Sequence, residues 1–169
     1  MKRLLILRHA KSSWNNAELS DFERPLNKRG RQAAPRLGYW IAENDIAPDV
    51  VICSTARRAQ QTYQLVQNAV SWDVETIHTE ELYLAPAHTY IEHLSQLADN
   101  TSTAMVIGHN PGMEELVFQL CGEYHPMPTC ALAVIAFDME VWWKLLAMSA
   151  QGNFNIMSCR VILPRGSLL

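Results

Sequence analysis

An arginine and a histidine stand side by side where a short apolar segment ends near the start of the chain. The segment covers residues 4–7, and four apolar residues bounded by arginines are typical of a strand buried on both faces of a parallel sheet. Arg8 and His9 follow, where the carboxyl end of a strand usually meets a ligand. Arginine offers a planar fork of donors to phosphate, and neutral imidazole is a nucleophile. The pair indicates phosphoryl chemistry, although an isolated Arg-His pair more often only opens a solvated loop.

A second histidine occupies the same kind of position later in the chain. Residues 103–108 form another short apolar segment, which His109 follows directly. Asn110 is a good N-cap and Pro111 a good first helical residue, so His109 should lie just before a helix N-terminus at the carboxyl edge of the sheet. The alternative is a neutral structural histidine, and a second strand-to-histidine junction makes that interpretation the less favoured one.

Four segments, in order, resemble the histidine phosphatase superfamily, which includes the cofactor-dependent phosphoglycerate mutases. R-H-A-K-S-S-W-N (8–15) resembles R-H-G-x-[ST]-x-x-N, with Ala10 in place of the usual glycine. D-F-E-R-P-L-N-K-R-G (21–30), S-T-A-R-R-A (54–59) and G-H-N-P-G (108–112) follow in the family's order. Within the superfamily, the short chain without an insertion large enough for a cap domain resembles the SixA-type phosphohistidine phosphatases most.

The resemblance implies how the site would work. It implies that His9 attacks phosphorus and becomes transiently phosphorylated, with Arg8, Asn15, Arg58 and His109 around the phosphoryl group. The family spacing S-x-x-x-R-A, counted from residue 54, selects Arg58 rather than the arginine before it. The alternative for Arg58 is an exposed cation on a helix.

Two further residues have open roles. Arg24 either contacts the substrate or ties down its loop by pairing with a carboxylate such as Asp21 or Glu18. Glu81 stands where mutase-like members of the family supply a glutamate acid, so it is a possible proton donor. A carboxylate entering a loop is ordinarily solvated, and that is the competing interpretation.

Strands and helices alternate along the chain that must position these residues. Asn27 should cap a helix running to about residue 44, with a kink or a late start at Pro35, and Ser54 or Thr55 should cap the next helix. The connection between the last two long strands is so short that they must pair antiparallel. We expect an α/β three-layer sandwich, with a mostly parallel central sheet and an antiparallel edge, forming a single domain over residues 1–169. Extended segments are predicted at residues 4–7, 50–53, 74–77, 103–108, 131–137, 141–147 and 160–163.

Composition narrows the classes of function. With 169 residues of which 49% are hydrophobic, the chain can bury a real core, and its net charge of -3 gives no reason to expect nucleic acid or a membrane surface as a partner. The four cysteines form no C-x-x-C pair and are expected to be reduced and buried. We expect no cofactor and no metal. No segment approaches the roughly 20 apolar residues of a spanning helix, and the first apolar run is shorter than a signal peptide's core, so we expect a cytoplasmic protein.

Three functions remain open at this point. The first is a phosphatase for phosphohistidine on a signalling protein, the second a phosphatase for small phosphoesters, and the third a phosphate-binding module without catalysis. A mutase is disfavoured because it must hold a second phosphate, and no second basic cluster is evident. An alkyl ester needs a well-placed acid, whereas imidazole can leave after protonation from solvent, so the lack of a firm acid favours phosphohistidine. The oligomeric state is not predicted.

Overall fold

The computed structural model describes residues 1–164, in which six strands form one sheet with helices on both of its faces. Residues 165–169, the end of the predicted domain, lie outside the described residues. The strands are β1 (Lys2–Arg8), β2 (Val50–Ser54), β3 (Glu75–Thr79), β4 (Thr103–Gly108), β5 (Leu132–Phe137) and β6 (Ile156–Ile162). The helices are α1 (Lys28–Glu43), α2 (Arg57–Val70), α3 (Ala87–Ser95), α4 (Gly112–Cys121) and α5 (Lys144–Gln151), with a single 3₁₀ turn at Glu80–Leu82.

The sheet has the order β3-β2-β4-β1-β5-β6. The first four strands in that order run parallel, β5 is antiparallel to β1, and β6 is antiparallel to β5. This confirms the predicted α/β class with a mostly parallel sheet and an antiparallel edge. In the register of β1 and β4, Arg8 lies opposite Gly108, so the residues that follow them emerge side by side.

The central strands are buried on both faces, as their unbroken apolar runs predict. Leu4 and Ile6 of β1 pack on the side of α3, α4 and α5, whereas Leu5 and Leu7 pack on the side of α1 and α2. All four side chains are fully buried. Because successive residues of a strand point to opposite faces, only an apolar run satisfies both layers of this sandwich.

Helix α1 begins where its cap predicts and passes through its proline. The Asn27 side chain accepts a hydrogen bond from the Gly30 N–H, and the helix runs from Lys28 to Glu43. Of the two alternatives predicted at Pro35, a kink or a late start, the late start is therefore excluded. Pro35 has no N–H, so the Arg31 carbonyl lacks its usual helical partner one turn later. No helix within residues 1–164 is long and apolar enough to cross a membrane.

The predicted cap of α2 is also wrong. Its N-cap is Ala56, which makes no side-chain cap hydrogen bond. Ser54 is the last residue of β2, and its Oγ accepts from the Ala56 N–H at 3.3 Å. The serine hydroxyl is fully buried at the strand end, where it has a different partner described below.

Residues 141–147, predicted to be a strand, instead lead into α5. Trp142 and Leu145, three residues apart, are both fully buried, while Trp143 and Leu146 are exposed. That spacing is helical, and it covers one side of the core. The antiparallel edge therefore comes from β5 lying between β1 and β6 rather than from a hairpin at Asp138.

The four cysteines are free thiols, but only two match the expected burial. Cys53 and Cys130 are buried, and burial raises the pKa of each thiol to about 12. Cys121 and Cys159 are half-buried, with their sulfur atoms next to each other.

Candidate active site

Two neighbouring strand ends place the two histidines together. His9 follows β1 and His109 follows β4, and their ring centroids lie 5.1 Å apart. β2 pairs with the other side of β4, so α2, which follows β2, brings Arg58 to the same edge. Arg8, His9, Arg58 and His109 all line one cavity of about 310 Å³. The cavity lies at the carboxyl ends of the parallel strands, where the sequence predicted a site.

The His9 ring is fixed by its immediate neighbour in the chain. Its Nδ1 lies 2.8 Å from the Ala10 carbonyl oxygen, and a carbonyl only accepts, so Nδ1 carries the proton and donates. Nε2 therefore keeps a lone pair. Arg58 donates from Nε to that Nε2 at a distance of 3.2 Å. The ring is 7% exposed, so both bonds lie in a largely water-free environment.

The surroundings keep the His9 ring neutral. Burial lowers the pKa of His9 to about 3, and the positive charges of Arg58 and Arg8 act in the same direction against the hydrogen bond to Ala10. A neutral imidazole with one free lone pair is the form that attacks an electrophile.

Ala10 links the histidine to α2 without crowding the cavity. Its N–H donates to Thr62 Oγ1 at 2.9 Å, and that hydroxyl donates to the Arg58 carbonyl at 2.6 Å. The Ala10 side chain is fully buried in the apolar cluster under α1 and α2. The position where the family usually has glycine thus accommodates a methyl group pointing into the core.

Asp21 joins the loop after β1 to Arg58. Its Oδ2 accepts from Arg58 Nη2 at 3.0 Å and from the Tyr83 hydroxyl at 2.6 Å, and its Oδ1 pairs with Arg24 Nη1 at 2.8 Å. Partial burial by itself would raise the pKa of Asp21, but the bonds from Tyr83 and Arg24 and the charge of Arg58 outweigh it and hold that pKa below its usual range. Asp21 is therefore ionised, and its carboxylate holds Arg58, Tyr83 and Arg24 together.

Arg24 contacts the loop after β1 and also lines the cavity. It pairs with Asp21, donates from Nη2 to Ser12 Oγ at 2.7 Å and from Nε to the Ser13 carbonyl at 3.0 Å, and so ties the loop down. It also lines the cavity, and Trp14 covers its guanidinium, with Cζ 3.2 Å from the ring centroid.

The second histidine, His109, contacts Ser54 through one ring nitrogen and directs its other ring nitrogen away from that serine. His109 is 1% exposed, and its Nε2 lies 2.8 Å from Ser54 Oγ. Burial lowers the pKa of His109 to about 2, with His9 and Arg58 acting in the same direction. A hydroxyl both donates and accepts, so Ser54 Oγ can donate to His109 Nε2 while it accepts from the Ala56 N–H; in that arrangement the ring hydrogen lies on Nδ1.

Two buried nitrogen atoms at this edge have no hydrogen-bond partner within residues 1–164. They are His109 Nδ1 and Arg8 Nε. Arg8 is held from its other side, since Nη1 donates to the Met127 carbonyl at 2.7 Å. Buried polar atoms are normally paired, and an anion in the cavity would pair with the Arg8 Nε hydrogen and with His109 when Nδ1 carries the ring hydrogen. Arg8, Arg24 and Arg58 against the single carboxylate of Asp21 give the cavity lining a positive charge.

Two residues that the sequence offered for the site, Asn15 and Glu81, are not among the residues that line the cavity. Asn15 is exposed in the loop beyond Ser12, and its backbone N–H donates to Ser13 Oγ. Glu81 lies in the 3₁₀ turn with its side chain 73% exposed and 2.7 Å from His93 Nε2. The turn directs this carboxylate towards α3 and solvent.

Four residues that contribute to the site were given no role in it from the sequence. Asp21 entered only as a possible partner of Arg24, and Ser54 only as a helix cap. Thr62 lies three residues beyond the segment 54–59 that resembles the family, and it was given no role. Tyr83 carried no signal, because its partner Asp21 is 62 positions away. Within residues 1–164, no three His, Cys, Asp or Glu side chains group so as to hold a metal ion.

With this fold and cavity, the chain belongs to the histidine phosphatase superfamily. The model of the family described as histidine phosphatase superfamily (branch 1) matches residues 4–83. An uncharacterized protein of Mycobacterium tuberculosis is 39% identical over 114 residues, which cover 68% of this chain and 69% of that protein.

Solved structures share the fold over nearly the whole chain. A protein of Agrobacterium tumefaciens assigned as a phosphohistidine phosphatase SixA is 27% identical, with a TM-score of 0.77 over 94% of this chain and 96% of that one. The protein histidine phosphatase SixA in complex with tungstate is 24% identical, with a TM-score of 0.75 over 93% of this chain and 95% of that one. The second likeness concerns the fold alone.

Proposed function

We propose that this protein is a metal-independent phosphatase of the SixA type, which removes the phosphoryl group from phosphohistidine on a signalling protein. One observation carries the proposal. The unprotonated Nε2 of His9 faces a cavity lined by Arg8, Arg58 and His109, and no carboxyl group described in that lining is able to donate a proton near neutral pH.

In the first step, His9 takes the phosphoryl group. The Nε2 lone pair forms the new P–N bond while the P–N bond of the substrate breaks, and the leaving imidazole takes its proton from solvent. The three equatorial oxygens carry the charge during transfer. Arg8, Arg58 and the Nδ1 hydrogen of His109 are placed to donate to them, and Arg58 Nε exchanges His9 Nε2 for a phosphoryl oxygen.

In the second step, water attacks phosphorus on phosphorylated His9. The P–N bond to His9 breaks, inorganic phosphate leaves, and Nε2 regains its lone pair. Nucleophilic catalysis divides one difficult hydrolysis into two easier displacements, and neither requires a metal.

The leaving group decides between the two substrate classes. Asp21 is held ionised by Tyr83, Arg24 and Arg58, and Glu81 is turned towards His93, so neither serves as an acid at the cavity. An alkoxide is a poor, basic leaving group without such an acid, whereas imidazole accepts a proton from water. This favours phosphohistidine over alkyl phosphates.

Two further observations support a protein substrate and the site. Trp14 and Leu84, which line the cavity, are 72% and 51% exposed, and exposed apolar side chains at a mouth are typical of contact with a macromolecule. The SixA protein of the same fold binds tungstate, a tetrahedral oxyanion like phosphate. We also propose that residues 1–169 form one domain.

A comparison of substrates tests this function. Turnover is measured in the presence of a chelator with a phosphohistidine peptide, an aryl phosphate and several sugar phosphates. We expect the highest kcat/KM for the phosphohistidine peptide. A preference for a sugar phosphate would replace the proposal with a small-molecule phosphatase, and binding of phosphate without any turnover would replace it with a binding module.

A further inference from the structure

Cations outnumber carboxylates in the helical layer of α1 and α2. Residues 24–42 contain five cations and no carboxylate, although the whole chain has 17 Asp and Glu against 14 Lys and Arg. Helix α2, on the same side of the sheet, has no carboxylate either, whereas α3 and α4 on the other side carry Glu92, Glu114 and Glu115. We call the exposed cation Lys11, which lines the cavity, together with the exposed cations of α1 the basic face: Lys11, Lys28, Arg29, Arg31 and Arg36.

Helix stability does not account for the basic face. Lys28 and Arg29 are the first two residues of α1, and its first turn holds no acidic residue. The dipole of a helix makes its N-terminus positive, so cations there are unfavourable, and these two also repel each other. Within residues 1–164, no residue of the basic face forms an ion pair.

The basic face begins at the wall of the active-site cavity. Lys11 lines the cavity, and its carbonyl accepts from the Asn27 N–H, the cap of α1, at 2.9 Å. Gly30 packs so closely on the same loop that a methyl group there would lie 2.3 Å from the Lys11 oxygen. The first turn of α1 is thus fixed against the loop. Arg29 and Arg36, seven residues apart, extend the positive surface for two helical turns along the same side.

We propose that the basic face docks an acidic surface that surrounds the phosphohistidine of the protein substrate. This inference rests on the proposed function, and it identifies the protein substrate by the negative charge around its phosphohistidine. A protein that presents its phosphorylated histidine to this cavity must lie against the cavity wall at Lys11 and the start of α1. Carboxylates on that protein would find cations that form no ion pair within the described residues 1–164. The carboxylates of the opposite layer and the net charge of -3 are unfavourable for a long polyanion that wraps the molecule.

Matched peptides test the proposal. Three peptides of roughly 15 residues, long enough to span both the cavity and α1, carry one central phosphohistidine flanked by glutamate, glutamine or lysine. We expect wild type to have about tenfold higher kcat/KM for the glutamate peptide than for the glutamine peptide at about 0.1 M salt, and the preference to vanish near 1 M salt.

Charge-reversal variants show which residues cause the preference for the glutamate peptide. Lys28→Glu and Arg29→Glu, alone and together, should remove the preference for the glutamate peptide while turnover of an aryl phosphate stays unchanged. Glutamates suit a helix N-terminus, so these variants should fold, and thermal unfolding checks it. Lys144→Glu, an exposed single reversal on the opposite layer, is the matched control and should retain the preference.

Three results would overturn the docking surface. They are equal turnover of the glutamate and glutamine peptides by wild type, an equal loss in Lys144→Glu, and stronger inhibition by a DNA duplex than by an unphosphorylated glutamate peptide. Failure of the proposed function can be distinguished from failure of the docking surface. If none of the phosphohistidine peptides is hydrolysed, fluorescence anisotropy with the unphosphorylated glutamate peptide still measures docking, and its loss in Lys28→Glu/Arg29→Glu still supports the basic face.

Discussion

Arg58 Nε lies 3.2 Å from His9 Nε2, on the opposite side of the imidazole from the nitrogen that donates to Ala10. The arginine therefore fixes the orientation of the His9 ring, and in the proposed mechanism it also donates to the oxygens of the transferred phosphoryl group. The same guanidinium is anchored by Asp21, whose carboxylate joins Arg24 and Tyr83. In the proposed mechanism, one cation thus both orients the nucleophile and stabilises the charge on the phosphoryl group.

Replacing Arg58 with alanine should cost far more activity than replacing Arg57. Arg58 is 3% exposed in the cavity wall, whereas Arg57 is exposed to solvent. Loss of a donor to the transition state typically lowers kcat by about 10²-fold or more. Steady-state kinetics on a phosphohistidine peptide should show that loss for Arg58→Ala and near wild-type turnover for Arg57→Ala. Equal and mild effects would mean that Arg58 does not contact the phosphoryl group.

Glu81→Gln should leave turnover unchanged on both phosphohistidine and alkyl phosphates. The sequence suggested an effect on alkyl esters, but the carboxylate is 73% exposed and paired with His93, outside the cavity lining. Parallel assays of wild type and variant on both substrates check this. A selective loss on the alkyl ester would reinstate Glu81 as the acid.

Ala10→Gly should weaken the fold without impairing catalysis. The methyl group is fully buried, and its removal loses about 0.8 kcal/mol of burial while glycine adds freedom to the unfolded chain, for about 1–2 kcal/mol in total. The backbone bonds to Thr62 and His9 remain available. Urea unfolding measures the first effect and kcat the second, and a variant that is as stable as wild type would show that the methyl does not pack as described.

Stability should fall as the pH is lowered from about 6.5 towards 4. The unfolded chain binds a proton on each histidine near pH 6.5, whereas the pKa is about 3 for folded His9 and about 2 for folded His109. Both pKa values are depressed in the folded state, so this stability is complete above the unfolded pKa and is lost as the pH falls. Each histidine contributes a slope of about 1.4 kcal/mol per pH unit in that window.

Urea unfolding over this pH range, with His9→Asn and the exposed control His78→Asn, measures that slope. His9→Asn should reduce it by the share of one histidine, and His78→Asn should leave the His9 contribution intact. An unchanged slope in His9→Asn would mean that His9 is protonated in the folded protein.

The central strands could be predicted because burial on both faces leaves no choice but apolar residues. β3 was weak because its side chains are half-exposed at the sheet edge, and it begins at Glu75, one residue later than predicted. The segment at residues 141–147 failed because Trp142 and Leu145 alternate with exposed apolar residues, which conceals a helical spacing among strand-forming side chains. The local sequence pattern therefore predicts a strand reliably only where both faces of that strand are buried.

The strand-end residues of the candidate site could be predicted as well, because parallel strands end at one edge. What could not be predicted are the contacts between distant segments. Asp21 meets Arg58 and Tyr83 across 37 and 62 positions, and no spacing rule links them. Asn15 and Glu81 fitted the family's pattern, but the loop and turn that carry them point them to solvent.

The central claim, that His9 carries the phosphoryl group during turnover, is tested most directly by trapping the enzyme. Wild type and His9→Ala are mixed with a ³²P-labelled phosphohistidine peptide, quenched under alkaline conditions, and analysed for bound label and its position. We predict acid-labile phosphate on His9 of wild type, none on His9→Ala, and no turnover by that variant, while circular dichroism shows its fold intact. Full turnover by His9→Ala, or label on another residue of wild type, would contradict the mechanism.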